Sequence, residues 1–359
     1  MAIGAWARPV GLALLLVGAA GALPASAEGP SPFGLCTGAE PRPCRPDRRF
    51  WDMSPLVLDL PAGDQPVART AAGSPRPSPS VVRNRSIAVG AGAVVLTPIL
   101  GYFTWWSVEE RVPFNFANEG WFDPDTYAGG ADKANHIVGG YIAQHALDWA
   151  FRQAGQPPES ARWWALATVA LTGAVIEVGD GLTRYGASWE DEASNVIGAG
   201  FALFVTAKGL DDTIGMRMGQ VNYEIPPPCC RAAGYGSDYS KWVHSLDLKL
   251  AGFLPRIGVK PGPARFFLVS LTYGTKGYRF SPPEVRERNL GIDLGLSLPE
   301  ILRAVGVRDD TWWGKPLLAF FTYVRVPYTA FGWRYDFNGH RWHGPDTGDK
   351  FDPGLVIYD

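Results

Sequence analysis

Residues 86–106 carry no charged side chain, and two further runs, 163–176 and 196–207, are equally free of Asp, Glu, Lys and Arg. Chain of that kind must satisfy its own backbone amides and set its side chains against protein or lipid. The runs are rich in Ala, Gly and Val, small residues that let helices approach closely. Residues 86–106 are long enough to span a membrane. Arg83 and Arg85 precede that run, and Glu109, Glu110 and Arg111 follow it. After export this places arginines on the outer side, against the positive-inside tendency. Pro98, Gly90, Gly92 and Gly101 fit a helix packed against neighbours. The expectation is a buried or membrane-embedded bundle helix, with an integral inner-membrane protein as the alternative. Three more helices are predicted at 131–153, 159–178 and 189–208, the last opened by Ser188 with Asp191 as a capping box.

Beyond residue 222 the pattern changes. Segments 245–250, 266–273, 290–298 and 317–326 show alternation or β-rich composition. Pro261-Gly262-Pro263 and Pro282-Pro283 separate them. The expected fold class is α+β, with a bundle of about four apolar helices over 86–221 and an antiparallel region of about four strands over 222–359. So few strands do not close a transmembrane barrel, so their apolar face should meet the helices or a membrane surface.

Residues 1–27 read as a signal peptide: Arg8, an apolar run over 10–23, and Ala25-Ser26-Ala27 as the cleavage site before Glu28. Residues 28–85 form a Pro/Gly-rich arm. The four cysteines, Cys36, Cys44, Cys229 and Cys230, are candidates for disulfides in an oxidising compartment. Bridges between the N-terminal segment and the 229–230 pair are favoured over a strained vicinal bond. No cysteine directly follows the apolar run, so the leader does not read as that of a lipoprotein. With 33 basic and 35 acidic residues, the chain has no excess charge to neutralise phosphates, which argues against a nucleic-acid partner. Charged residues are only 19%, against 13% aromatic, which suits a protein whose partners are membrane or envelope components.

The predicted helices carry polar pairs where their apolar faces should meet. Asp132 and His136 are four apart, with Lys133 between them and Gly139-Gly140 beyond. Glu177 ends an uncharged run and must be paired, protonated or exposed; Asp180 follows on a nearby face. Asp191 and Asn195 repeat the four-residue spacing, and Ser188 precedes them. One histidine among carboxylates offers ligands for one divalent metal ion, with His136, Glu177 and Asp180 as the metal candidates. The same set suits acid–base hydrolysis through Asp132, His136, Glu177 and Asp191. It equally suits a structural network fixing helix register, with Lys133, Asp180, Ser188 and Asn195 as further members.

The stretch Phe114-Asn115-Phe116-Ala117-Asn118-Glu119-Gly120-Trp121, then Gly130-Ala131-Asp132-Lys133-x-x-His136 with Tyr141, resembles the YfiM-like family of predicted periplasmic lipoproteins, a domain of unknown function. Glu177-x-x-Asp180-Gly181 and Tyr185-Gly186-x-Ser188-x-x-Asp191-x-x-x-Asn195-x-x-Gly198 follow in the same order. The resemblance covers about residues 105–345, more loosely in its C-terminal half. A fainter similarity, to VanZ-like membrane proteins, implies a membrane-embedded arrangement. Neither resemblance implies a reaction. The leader and the YfiM-like resemblance point to an exported protein, periplasmic or at the outer membrane; the expected role is structural or accessory, with an envelope hydrolase or metal-dependent enzyme acting on lipid or cell-wall substrate as the alternative.

Overall fold

The computed structural model describes residues 77–107, 109–220, 239, 242–278 and 286–347. The leader, most of the Pro-rich arm and all four cysteines lie outside the described residues. Helix α1 spans Pro79–Gly101 and so begins inside the expected arm, before residue 86. Pro79 explains this: at the first helical position its fixed φ suits the helix and its missing N–H costs no bond. Pro98 lies in the last turn, and the chain leaves through a π-helical turn, Tyr102–Trp106. Helices α2 (Ala131–Gln153), α3 (Pro158–Gly181) and α4 (Trp189–Ala207) fall close to the predicted bounds.

Small residues set the bundle's spacing. Its core is Ala93, Leu147, Phe151, Ala161, Ala165, Val169 and Ala199, contributed by all four helices. The closest approach is between α2 and α4. A Cβ on Gly140 would collide with the Asn195 carbonyl, and one on Gly198 with the Ile137 carbonyl. Glycine at both positions is therefore what lets the two backbones touch.

The second half is a six-stranded antiparallel meander in chain order, not about four strands. Its strands are β1 (Ile214–Gln220), β2 (Trp242–Lys249), β3 (Phe267–Lys276), β4 (Glu287–Leu296), β5 (Ala330–Asp336) and β6 (Arg341–Asp346). Short helices α5 (Leu250–Arg256), α6 (Leu298–Ala304) and α7 (Gly314–Tyr323) lie in the connections. Most of the expected strand at 317–326 is thus helix α7. The run Leu317-Leu318-Ala319-Phe320-Phe321 does not alternate, and an apolar run that short does not tell helix from strand. Strand β1 belongs to the segment assigned to the bundle, and its alternating Ile214, Met216 and Met218 carried the signal.

The sheet is polar on its covered side and apolar on its open side. Leu246, Leu271, Ile292 and Trp333 face one another across β2–β5, as do Leu248, Val269, Leu294 and Phe331. On that face Ile292 is 60% exposed, Leu294 52% and Trp333 51%. The intervening rows carry Asp247, Ser270 and Asp293, all buried. Arg217 pairs with Asp247 at 2.5 Å, and Ser270 Oγ donates to the same carboxylate at 2.7 Å. Arg325, beyond α7, donates its backbone N–H to the Met218 carbonyl at the outer edge of β1. Its guanidinium reaches Asp293 on β4 at 2.7 Å. In a flat sheet β1 and β4 would lie about 14 Å apart, so the sheet is curled around these polar groups. Helix α2 covers the apolar side over β1–β3, and Val138 packs there on Met218 and Trp242.

Candidate functional site

The polar centre is assembled from α2, α4 and the loop before α2. The chain enters α2 through left-handed backbone at Ala128, Gly129 and Gly130, which turns Asp132 into the first helical turn. There the helix dipole favours its negative charge. The loop 111–117 is laid along 183–187 by bridges between Arg111 and Thr183 and between Phe116 and Ala187. Asn115 Nδ2 donates to the carbonyls of Gly181 and Thr183, both at 3.0 Å. This anchorage carries Glu119 to the bundle.

Lys133 is the hub. Only 1% exposed, its Nζ lies 2.5 Å from Glu119 Oε2, 3.0 Å from Asp132 Oδ2 and 2.5 Å from Asp191 Oδ1. These carboxylates hold the lysine's pKa far above its ordinary value, although burial alone would lower it. One cation cannot balance three clustered carboxylates, so the acids diverge. Burial would raise Asp132, but His136 and Lys133 outweigh it and hold that carboxyl well below the usual range. Burial, and then the charge of Asp132, push Asp191 up. Glu119 is raised for the same two reasons.

His136 sits beside this cage. Its Nδ1 is 3.2 Å from Asn195 Oδ1, an atom that only accepts, so this bond puts the proton on Nδ1. Nε2 then faces Asp132 Oδ1 at 3.7 Å and Asp191 Oδ1 at 3.8 Å. Asp132, His136 and Asp191 have the mutual spacing of ligands around a metal ion. Of the metal candidates His136, Glu177 and Asp180, only His136 belongs to that group. Asp180 instead accepts the indole N–H groups of Trp105 at 2.9 Å and Trp106 at 2.6 Å, fastening the end of α1 to α3. Burial still pushes its carboxyl up to about 6.

Glu177 is buried, and Oε2 accepts the Ser188 N–H at 2.7 Å. Oε1 has no hydrogen-bond partner among the described residues. Burial pushes this carboxyl up to about 8, so it is largely protonated near neutral pH. Ser188 caps α4: its Oγ accepts the Asp191 N–H at 3.3 Å and donates to Glu190 Oε2 at 3.1 Å. That hydroxyl is engaged in capping.

Glu119 and Glu190 were not among the expected site residues. Glu119 lies in irregular chain without a periodic signal, and only the family motif contains it. A polar cavity of about 280 Å³ opens beside Glu119, walled also by Asp125, Thr126, Arg184 and Tyr185.

These features define an α+β protein with a buried, lysine-centred polar network in its helical half and an outward-facing apolar sheet. Residues 118–207 match the family model described as predicted periplasmic lipoprotein (DUF2279), in agreement with the YfiM-like resemblance. The match spans Glu119 and α2–α4, and thus the whole lysine-centred network. It supports an exported, periplasmic protein and lends nothing to the VanZ-like likeness. No curated protein and no solved structure matches the chain.

Proposed function

We propose that the protein is a structural or accessory component of the cell envelope, held at the outer membrane by the apolar face of its sheet and the flanks of its bundle. The reversed polarity of the sheet carries this reading. Leu246, Val269, Leu271, Leu290, Ile292, Leu294, Phe331 and Trp333 are exposed, while ion pairs fill the opposite side. Against water such a contiguous apolar surface is unfavourable; against lipid it is the favourable arrangement. The bundle continues the theme with exposed Val95 and Phe103 and, on α3, exposed Trp163 and Leu171. Helices α1 and α3 are also long and apolar enough to cross a membrane, by length and composition. In this reading the network around Lys133 locks α2, α4 and the preceding loop in register. Separated envelopes washed with carbonate or high salt should retain the protein with the outer-membrane fraction; release into the soluble fraction would contradict the reading.

A second reading is favoured by His136 Nε2, which faces two carboxylates close to the protonated Glu177. It is an envelope hydrolase using Asp132, His136, Glu177 and Asp191, or a divalent metal held by Asp132, His136 and Asp191. Lys133 Nζ already lies 2.5 Å from Asp191 Oδ1, so a metal would share that carboxylate with a fixed cation. This weighs towards the structural network. Metal analysis of the purified protein beside His136→Ala separates the two. Stoichiometric metal lost in the variant favours the site; none in the intact protein removes the metal version.

A further inference from the structure

We propose that the cavity between α2 and the sheet is a binding site for one acyl chain of an anionic membrane phospholipid. The cavity measures about 490 Å³, within the size range of small-molecule sites. Ala134, Ile137 and Val138 of α2 wall one side; Leu246, Leu271 and Leu290 of the sheet wall the other. The three leucines are partly exposed and share the sheet face that carries Ile292 and Leu294. The cavity's sheet wall therefore continues into the apolar surface.

One wall residue carries a fixed charge. Arg288 donates Nε to Asn338 Oδ1 at 2.8 Å and Nη1 to the Phe122 carbonyl, and lies over the Phe337 ring. No carboxylate among the described residues pairs with it. A guanidinium without an anionic partner, set in an otherwise apolar hollow, complements an amphiphile with an aliphatic tail and a phosphate head. The other titratable wall groups, His244 and Tyr273, offer no charge. Burial lowers His244 to about 4, so it is neutral, and burial raises the Tyr273 phenol so that it stays protonated.

The site depends on the membrane reading only for the source of its lipid. The test uses full-length protein in detergent with phosphatidylglycerol bearing a photoreactive diazirine on its acyl chain, followed by peptide mapping. Label should concentrate at residues 134–138 and 244–246. Ala134→Phe, and independently Leu290→Trp at the opening, should each cut that labelling by roughly tenfold, about 1.4 kcal/mol, while flotation of the buried-wall variant Ala134→Phe on phosphatidylglycerol vesicles is unchanged. Arg288→Gln should abolish the preference for phosphatidylglycerol over phosphatidylcholine. Label spread over 292–294 and 331–333, outside the cavity walls, and insensitive to either filling variant, would overturn the site while leaving membrane association intact. Cavity labelling by a protein that does not float would leave the site standing and remove the membrane reading.

Discussion

Replacing Lys133 by Met tests the bundle's central claim. The methionine fills a similar volume, so the perturbation is electrical. It strips the only cation among the described residues lying within 3.0 Å of Asp132 and within 2.5 Å of Glu119 and Asp191. Removing one member of a buried ion pair costs about 3–5 kcal/mol. At 2–4 °C per kcal/mol for a protein of this class, Tm should fall by roughly 6–20 °C. The loss should depend on pH. Without Lys133 the folded-state pKa values of Glu119 and Asp191 rise further above their unfolded values, and Asp132 loses a cation that holds it below its own, so the folded variant binds protons that the unfolded chain does not. Its stability therefore increases as pH falls, and the deficit should shrink between about pH 8 and pH 5. Adding Asp191→Asn should recover part of the loss, because one uncompensated charge disappears. Thermal melts by tryptophan fluorescence in detergent, at both pH values, provide the measurement. A Tm within about 2 °C of the parent at both pH values, less than 1 kcal/mol, would refute Lys133 as the hub.

Other perturbations probe separate links. Glu177→Gln should flatten the pH dependence of stability: a carboxyl raised to about 8 loses stability as pH climbs from its unfolded value through 8. The variant should exceed the parent by on the order of 2–4 kcal/mol above that range, measured by denaturant titration. Gly198→Ala drives a methyl into the Ile137 carbonyl and should cost about 1–3 kcal/mol while breaking the His136–Asn195 bond, visible in the histidine NMR resonances. Ile292→Asp with Trp333→Asp should reduce vesicle flotation by roughly tenfold or more without lowering Tm in detergent. Equal flotation would count against a lipid-facing sheet.

The helical half was legible because its signals are local. Uncharged runs and the Ser188 cap each act within a turn or two, whereas Pro79 read as part of the arm although it opens α1. The four-residue spacings placed Asp132 with His136 and Asp191 with Asn195 on shared faces, and the α2–α4 contact joins the two pairs. What local pattern did not reveal was which atoms meet. Nothing near Lys133 in sequence announces that it takes Glu119 and Asp191 as partners. Asp180 read as a ligand because its indole partners lie more than seventy residues away. In the sheet half, alternation identified β4 but not which of its faces is covered. That depends on Arg325, which no strand pattern locates.

Arg325 also bears on the order in which the molecule can form. The contact between Met218 and Val324 joins residues far apart in the chain, and closing so large a loop is slow. Strand β1 emerges directly after the bundle, yet among the described residues nothing covers its outer edge until α6 and α7 have been made and residues 324–325 arrive. During that interval β1 presents unpaired N–H and C=O groups, and Asp293 awaits its counter-ion. An exported chain must pass through this stage with an open strand edge, the kind of surface to which another copy adds by aggregation. The segment that neutralises the sheet's interior is thus also the clasp that ends its vulnerability to misassembly.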